Sequence, residues 1–377
     1  MIYRDYRGMQ ISALGMGAMR LPVIGGDDAK IDVPVANEMV DYAYEHGINY
    51  YDTAWGYHGE NSEVVMGEAL RRHPRDTYMI ATKFPGYFTS NFGKVEQIFN
   101  KQLEKTGMEY FDFYLCHNVC ELNIEHYLDD EKYGTLTYLK KQRELGRIRN
   151  LGFSVHGNNE TLRRFLEKYG EDMEFIQIQL NWLDWSFQDA KEKVALADQY
   201  NLPIVVMEPM RGGMLVKLAD QHLAKLAELR PDESAAGWAF RWLQGVPQVF
   251  TTLTGASTPE QLAENIAIYE TDAPTTAEEN AALYAIAGEM TGKIALPCTA
   301  CKYCVSHCPK DLDIPRLLEL YNEHCFTGGG FIAPMALMSM SDDEQPSACI
   351  GCGACSAVCP QQIDIPAAMA DFAQKLG

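Results

Sequence analysis

The stretch Ile48–Arg72, INYYDTAWGYHGENSEVVMGEALRR, decides the fold. Its opening residues, Ile48–Thr53, form a short apolar run rich in β-formers, and Ser62–Arg72 carries helical periodicity. The two halves read as a strand and the helix that follows it. The same unit recurs on both sides. β-rich runs lie at Ile11–Gly17, Tyr78–Phe84, Phe111–His117, Asn150–Ser154, Phe175–Asn181, Pro203–Glu208 and Val249–Thr254. Helical stretches at Val95–Lys105, Tyr138–Leu145, Gln188–Tyr200 and Ser234–Gln244 lie between them. Eight such units predict an α/β fold, a (β/α)8 TIM barrel, with an N-terminal β-hairpin at Ile2–Met9 capping its bottom.

A barrel of this kind carries its chemistry at the C-terminal strand ends. The strand Ile48–Thr53 delivers Asp52 there, followed by Thr53-Ala54-Trp55-Gly56-Tyr57-His58-Gly59, and Ser62 is placed to N-cap the next helix. Lys83 ends the third strand and His117 the fourth. A carboxylate, a phenol, an ammonium and an imidazole are thus expected on one face.

The C-terminal part of the chain is marked by the spacing of its cysteines. Eight of the eleven cysteines fall into two copies of C-x-x-C-x-x-C-x-x-x-C-P: Cys298, Cys301, Cys304, Cys308 and Cys349, Cys352, Cys355, Cys359. This is the bacterial run that holds 4Fe–4S clusters, whose fourth cysteine ligates the other cluster. The expected sets are therefore Cys298, Cys301, Cys304 with Cys359, and Cys349, Cys352, Cys355 with Cys308. Zinc knuckles use pairs of ligands rather than this triplet, and a disulfide framework would imply secretion, for which the N-terminus lacks a signal peptide. Between the runs, Pro315–Cys325 is helical and Gly328–Gly330 breaks it. The expected layout is a barrel over 1–273, a connecting helix over 274–295, and an α-helical ferredoxin-like domain over 296–377.

The formal charge of −20 argues against nucleic acid and anionic membrane surfaces as partners. No apolar run is long enough to span a bilayer. Oxygen-sensitive clusters without an export signal point to a reducing cytoplasm.

At this point the chain resembles the aldo–keto reductases, and specifically the branch with a ferredoxin-like extension carrying two 4Fe–4S clusters. The resemblance rests on Asp52-Thr53-Ala54 through Tyr57, Gly59, Ser62 and Glu63, on Lys83, on Tyr114–His117, and on Gly152-Phe153-Ser154. It continues through Gln177 and Asn181, Pro209–Gly212 and Gly255-Ala256-Ser257. It implies NADPH- or NADH-linked reduction of a carbonyl, or oxidation of the alcohol, with Tyr57 as general acid. Lys83 would lower the phenol's pKa, Asp52 would hold Lys83 charged, and His117 would bind the substrate oxygen. Ser154 and Gln177 would hold the carboxamide, supported by Asn181. Met207, Pro209, Arg211 and Gly212 would pass under the pyrophosphate; Gly255, Ser257, Gln261, Glu264 and Asn265 would embrace the adenosine end.

The chain departs from that pattern in three places. Val155 follows the carboxamide serine where relatives have Asn, Met207 stands where a ring stacks on nicotinamide, and no Lys or Arg lies between Gly255 and Asn265. The last point makes NADH a competitor to NADPH. Trp55, Tyr87, Phe88, Trp182 and Trp185 are candidate pocket walls, Met335, Met338 and Met340 a candidate contact surface, and Cys116 and Cys120 buried thiols. Clusters accept one electron each whereas a nicotinamide gives two together, a mismatch that a flavin normally bridges. The expected role of the clusters is to relay electrons to or from a ferredoxin or flavoprotein. The alternatives are structural or sensing clusters beside the same hydride chemistry, or a redox-responsive regulatory protein without catalysis. No motif commits the chain to a flavin.

Overall fold

The computed structural model describes residues 1–292, 295–298 and 300–376. Its strands are β1 Tyr3–Tyr6, β2 Met9–Ser12, β3 Leu14–Gly17, β4 Tyr50–Asp52, β5 Met79–Phe84, β6 Phe111–Val119, β7 Ile148–Val155, β8 Phe175–Gln179, β9 Ile204–Met207 and β10 Val249–Thr254. Strands β3 to β10 close into an all-parallel barrel, β10 pairing with both β9 and β3. Both faces of these strands are covered, which is why they read as continuous apolar runs rather than alternating ones.

β1 and β2 form an antiparallel hairpin whose turn places Arg7 and Gly8 at positive φ, 51° and 85°. Two such residues in succession match the right-handed twist of the arms. The turn therefore falls about two residues later than in a hairpin confined to Ile2–Met9. Ile11 consequently lies in the second arm, and the first barrel strand begins only at Leu14. The shift has a purpose. Tyr6 and Ile11 plug the barrel floor, with the Tyr6 ring centroid 4.5 Å from Phe250 and 5.3 Å from Phe113.

In the helix after β4, Ser62–Leu70, the N-cap position falls on Asn61 rather than Ser62, and the Asn61 side chain makes no capping hydrogen bond. Ser62 is fully buried, its hydroxyl donating to Ala18 O at 3.1 Å and lying 2.8 Å from Thr53 Oγ1. A cap must face the helix's own first amides; this hydroxyl instead ties the helix to two strand ends. The next helix, Val95–Thr106, ends at Gly107 in the left-handed conformation, φ 64°. It lies against Gly67, where a Cβ would stand 2.3 Å from Thr106 O and 2.6 Å from Thr106 Cα. Both obstacles are backbone, so the helices must part. Gly67→Ala is expected to cost about 1–3 kcal/mol and to lower the midpoint of thermal unfolding by several degrees; an unchanged midpoint would contradict this packing.

The chain divides into two compact units, Met1–Tyr284 and Ala285–Gly377. In the second, the helices Ile314–Thr327 and Ile365–Leu376 enclose a core that includes Leu317, Leu320, Met369 and Phe372. Gly328, at φ 67°, ends the first of them. Among the described residues no helix is long and apolar enough to cross a membrane.

Candidate active site

Asp52 closes β4, Lys83 lies one residue inside the end of β5, and Tyr57 follows β4 on its loop. Lys83 Nζ donates to Asp52 Oδ1 at 2.6 Å, to Thr53 O at 2.8 Å and to Tyr57 Oη at 3.4 Å. The lysine is fully buried. Burial works against its charge, but Asp52 and Tyr57 outweigh that and hold the ammonium protonated.

Tyr57 corrects one expectation. Lys83 does pull the phenol toward ionisation, yet burial is the larger effect, Asp52 and Glu208 add to it, and the pKa lies above the ordinary value. In this arrangement Tyr57 is a protonated donor, not a group poised at neutrality.

His117 is re-aimed by a bulge. The β6–β7 register runs Cys116↔Phe153 and then Val119↔Val155, so His117 and Asn118 are the looped-out pair, with Asn118 at φ 55°. The Asn118 N–H donates to Ser154 Oγ at 2.8 Å, tying the bulge to the next strand. The imidazole stands edge-on to Tyr57, ring centroids 6.0 Å apart, and to Tyr87 at 5.1 Å. Burial, then Lys83 and His156, push its pKa well down, so the ring is neutral. His117 Nδ1 and Asp52 Oδ2 are buried without a hydrogen-bond partner among the described residues.

Glu63 supports the group from behind. It is fully buried and accepts from Thr82 Oγ1 at 2.6 Å and Gln102 Nε2 at 2.7 Å, while Lys105 Nζ lies 2.7 Å away. Gln102 also donates to Lys83 O at 3.0 Å, so this network fixes the strand that presents the lysine. Of the aromatic candidates, Tyr87 faces His117. Trp55 lies under Lys105, Trp185 packs on Trp242, Trp182 is buried and Phe88 is exposed. Cys116 and Cys120 are buried, and burial pushes the Cys120 thiol up to about 11.

The residues expected to hold a nucleotide divide into two kinds. Gln177 Oε1, midway along β8, is buried and unpartnered among the described residues, an acceptor that fits a carboxamide N–H. Asn181 and Arg211 are instead occupied. Both converge on Asp184, which takes Asn181 Nδ2 at 2.7 Å and Arg211 Nε at 2.9 Å and also receives Gln179 Nε2 at 2.8 Å. Asp184 was not legible in the sequence, because nothing local marks it as a hub. Gln261 Oε1 accepts the Ser257 N–H and Asn265 Nδ2 donates to Thr254 Oγ1, so both brace the loop after β10. Glu264 is exposed. Met207 ends β9, and past Pro209 the chain carries Arg211, Gly212 and Gly213 at φ 49°, 65° and 89°.

In the second unit the two cysteine runs repeat in backbone as well as in sequence. Ala300 and Gly351 have φ of 53° and 70°, Lys302 and Gly353 64° and 74°, and Asp311 and Gln362 54° and 55°. Cys298, Cys301, Cys304 and Cys359 line one cavity, and Cys308, Cys349, Cys352 and Cys355 line another. Among the described residues no three such side chains are gathered as a single ion requires. A cubane, by contrast, keeps its thiolates apart around its corners. Ile365 lines both cavities. Met340 packs on this unit's core, Met338 is exposed and Cys325 is half-buried.

Residues 13–287 match the aldo/keto reductase family. The chain belongs to that family. Residues 297–363 match the 4Fe-4S dicluster domain. The reductase is 25% identical over 305 residues to the NADH-specific methylglyoxal reductase of Escherichia coli, covering 68% of this chain and 89% of that protein. It is 28% identical to probable aldo-keto reductase 1 of Glycine max over 217 residues, 55% of this chain and 58% of the soybean protein. Among solved structures, the holo form of an aldo-keto reductase from Bacillus halodurans superposes with TM-score 0.61 at 23% identity, over 74% of this chain and 93% of that one. The protein is therefore a nicotinamide-dependent oxidoreductase built on a TIM barrel and carrying an iron–sulfur domain.

Proposed function

We propose that the reductase transfers hydride between a nicotinamide dinucleotide and a small carbonyl compound at Asp52, Tyr57, Lys83 and His117. The observation that carries this is the single ammonium of Lys83, hydrogen-bonded to Asp52 and Tyr57 together. A bound nicotinamide supplies the hydride to the carbonyl carbon. Tyr57 hydrogen-bonds the carbonyl oxygen and gives it a proton, Lys83 stabilises the phenolate left behind, and neutral His117 orients the oxygen. Gln177 and Ser154 orient the carboxamide. The absence of a cation between Gly255 and Asn265 favours NADH.

Methylglyoxal, the substrate named for the E. coli relative, is the first carbonyl to try. Consumption of NADH or NADPH that depends on an added aldehyde or ketone supports the reading; no turnover with any such compound, in protein shown to bind nucleotide, sinks it. The pH profile supplies a second check. The acid must be protonated for reduction, and its pKa is raised, so the rate is expected to hold through neutrality and fall only above the usual tyrosine range. His117 stays neutral, so no inflection is expected near the ordinary imidazole value. A step at either place would contradict these assignments.

The same proposal gives the second unit two 4Fe–4S clusters, one in each cavity, passing electrons to or from a carrier such as a ferredoxin. Two neighbouring one-electron centres together match the two electrons of one hydride. A second reading rests on packing. Cys304 and Cys355 belong to the unit's core, and Cys298, Cys308, Cys349 and Cys359 pack against it together with apolar residues, so the clusters also hold this small domain together.

A further inference from the structure

The loops after β9 and β10 carry no guanidinium free to meet a phosphate from the two places the sequence suggests. Arg211 is committed to Asp184, with 4% of its side chain exposed, and the segment from Gly255 to Asn265 has no cation at all. A cation reaches them from elsewhere. Arg20 follows β3, and its Nη2 would lie 3.4 Å from a Cβ on Gly212, its Cδ 3.3 Å from one on Gly255. It therefore spans the two loops that the family resemblance assigns to the dinucleotide.

Arg20 is held there loosely. Its Nη2 is 3.5 Å from Glu208 Oε1, with 45% of the arginine and 20% of the glutamate side chain exposed. A half-exposed pair at that distance contributes little and is easily exchanged. Glu208 itself sits at φ 53°, an uncommon conformation for a residue with a Cβ, and Asn181 Nδ2 pins its carbonyl at 3.1 Å. The loop is thus built to present this carboxylate, and Gly212 leaves the space between it and Arg20 open: a Cβ there would lie 3.8 Å from Glu208 Oε2.

We propose that Arg20 is a nucleotide-binding residue of the reductase, which exchanges Glu208 for the pyrophosphate of the dinucleotide, Glu208 acting as the stand-in anion that keeps the arginine in place when the groove is empty. Its planar fork suits two phosphate oxygens, which a lysine cannot match. The inference rests on the nicotinamide reading above, and deepens it by naming the grip that the family pattern leaves vacant.

The test is the dissociation constant of NADH and of NADPH for the cluster-loaded full chain, read by protein fluorescence without substrate. Arg20→Ala is expected to weaken both nucleotides by about 10- to 100-fold, with Arg20→Lys in between, as for loss of a charged hydrogen-bonded contact. Glu208→Gln removes the competing anion and is expected to tighten both. An unchanged constant for Arg20→Ala, with wild type binding normally, overturns the Arg20 assignment alone. Loss confined to NADPH overturns the pyrophosphate assignment in favour of the 2′-phosphate. No binding of either nucleotide by wild type overturns the nicotinamide reading as well. The half-exposed side chain makes Arg20→Ala a safe variant for folding, and Glu208→Gln tests the exchange without touching the arginine.

Discussion

Tyr57→Phe lowers the rate constant for carbonyl reduction about 10²- to 10⁴-fold, the range expected when a positioned general acid is removed. The ring stays, so its edge-on contact with His117 and its place over Lys83, whose Nζ is 5.0 Å from the ring centroid, are kept. What goes is one hydroxyl and one proton. Nucleotide affinity and iron content should not change, and single-turnover kinetics under anaerobic conditions separate the chemical step from binding and product release. Lys83→Met is expected to be as damaging for a different reason: it strands the buried Asp52 carboxylate without its ion pair. That variant should lose stability along with activity, whereas Tyr57→Phe should lose activity alone. Equal turnover by Tyr57→Phe and wild type would remove the phenol from the mechanism.

The crossed cysteine sets give the second large effect. If Cys359 completes the site of Cys298, Cys301 and Cys304, then Cys298→Ala and Cys359→Ala strike one cluster. The double variant should keep about as much iron as either single one, roughly half of wild type. Pairing Cys298→Ala with Cys349→Ala strikes both and should leave almost none. Were each run to hold its own cluster, Cys298→Ala with Cys359→Ala would instead empty the protein. Iron analysis and the visible absorbance of anaerobically purified protein decide between the two, and Cys308 with Cys349 provides the mirror-image pair.

Much of this was legible in the sequence because it is local. The strands that deliver Asp52, Lys83 and His117 are short β-rich runs with the polar residue at or near the C-terminal end, and the cysteine spacing encodes its own geometry. The aldo–keto reductase barrel and the iron–sulfur domain expected from them are both present. The misplaced hairpin and the misjudged Ser62 share a cause. Ile11 and Ser62 have two good local options, strand or hairpin arm, cap or buried tie, and tertiary packing against the barrel selects between them. Asp184 and Arg20 were invisible for a related reason: each acts by joining loops far apart in the chain. The net direction of Tyr57's pKa was likewise out of reach, since Lys83 can be read from sequence but the burial that overrides it cannot.

The most direct test of the account follows the hydrogen itself. Wild-type reductase is given nucleotide deuterated at the transferable position, together with a small carbonyl that it turns over, and the alcohol is analysed by mass spectrometry and NMR. Hydride transfer at this site places one deuterium on the carbinol carbon and a solvent proton on its oxygen, with the clusters intact. Product carrying only solvent hydrogen on that carbon would mean that the electrons reach the carbonyl singly by another route, and would contradict hydride transfer at Tyr57.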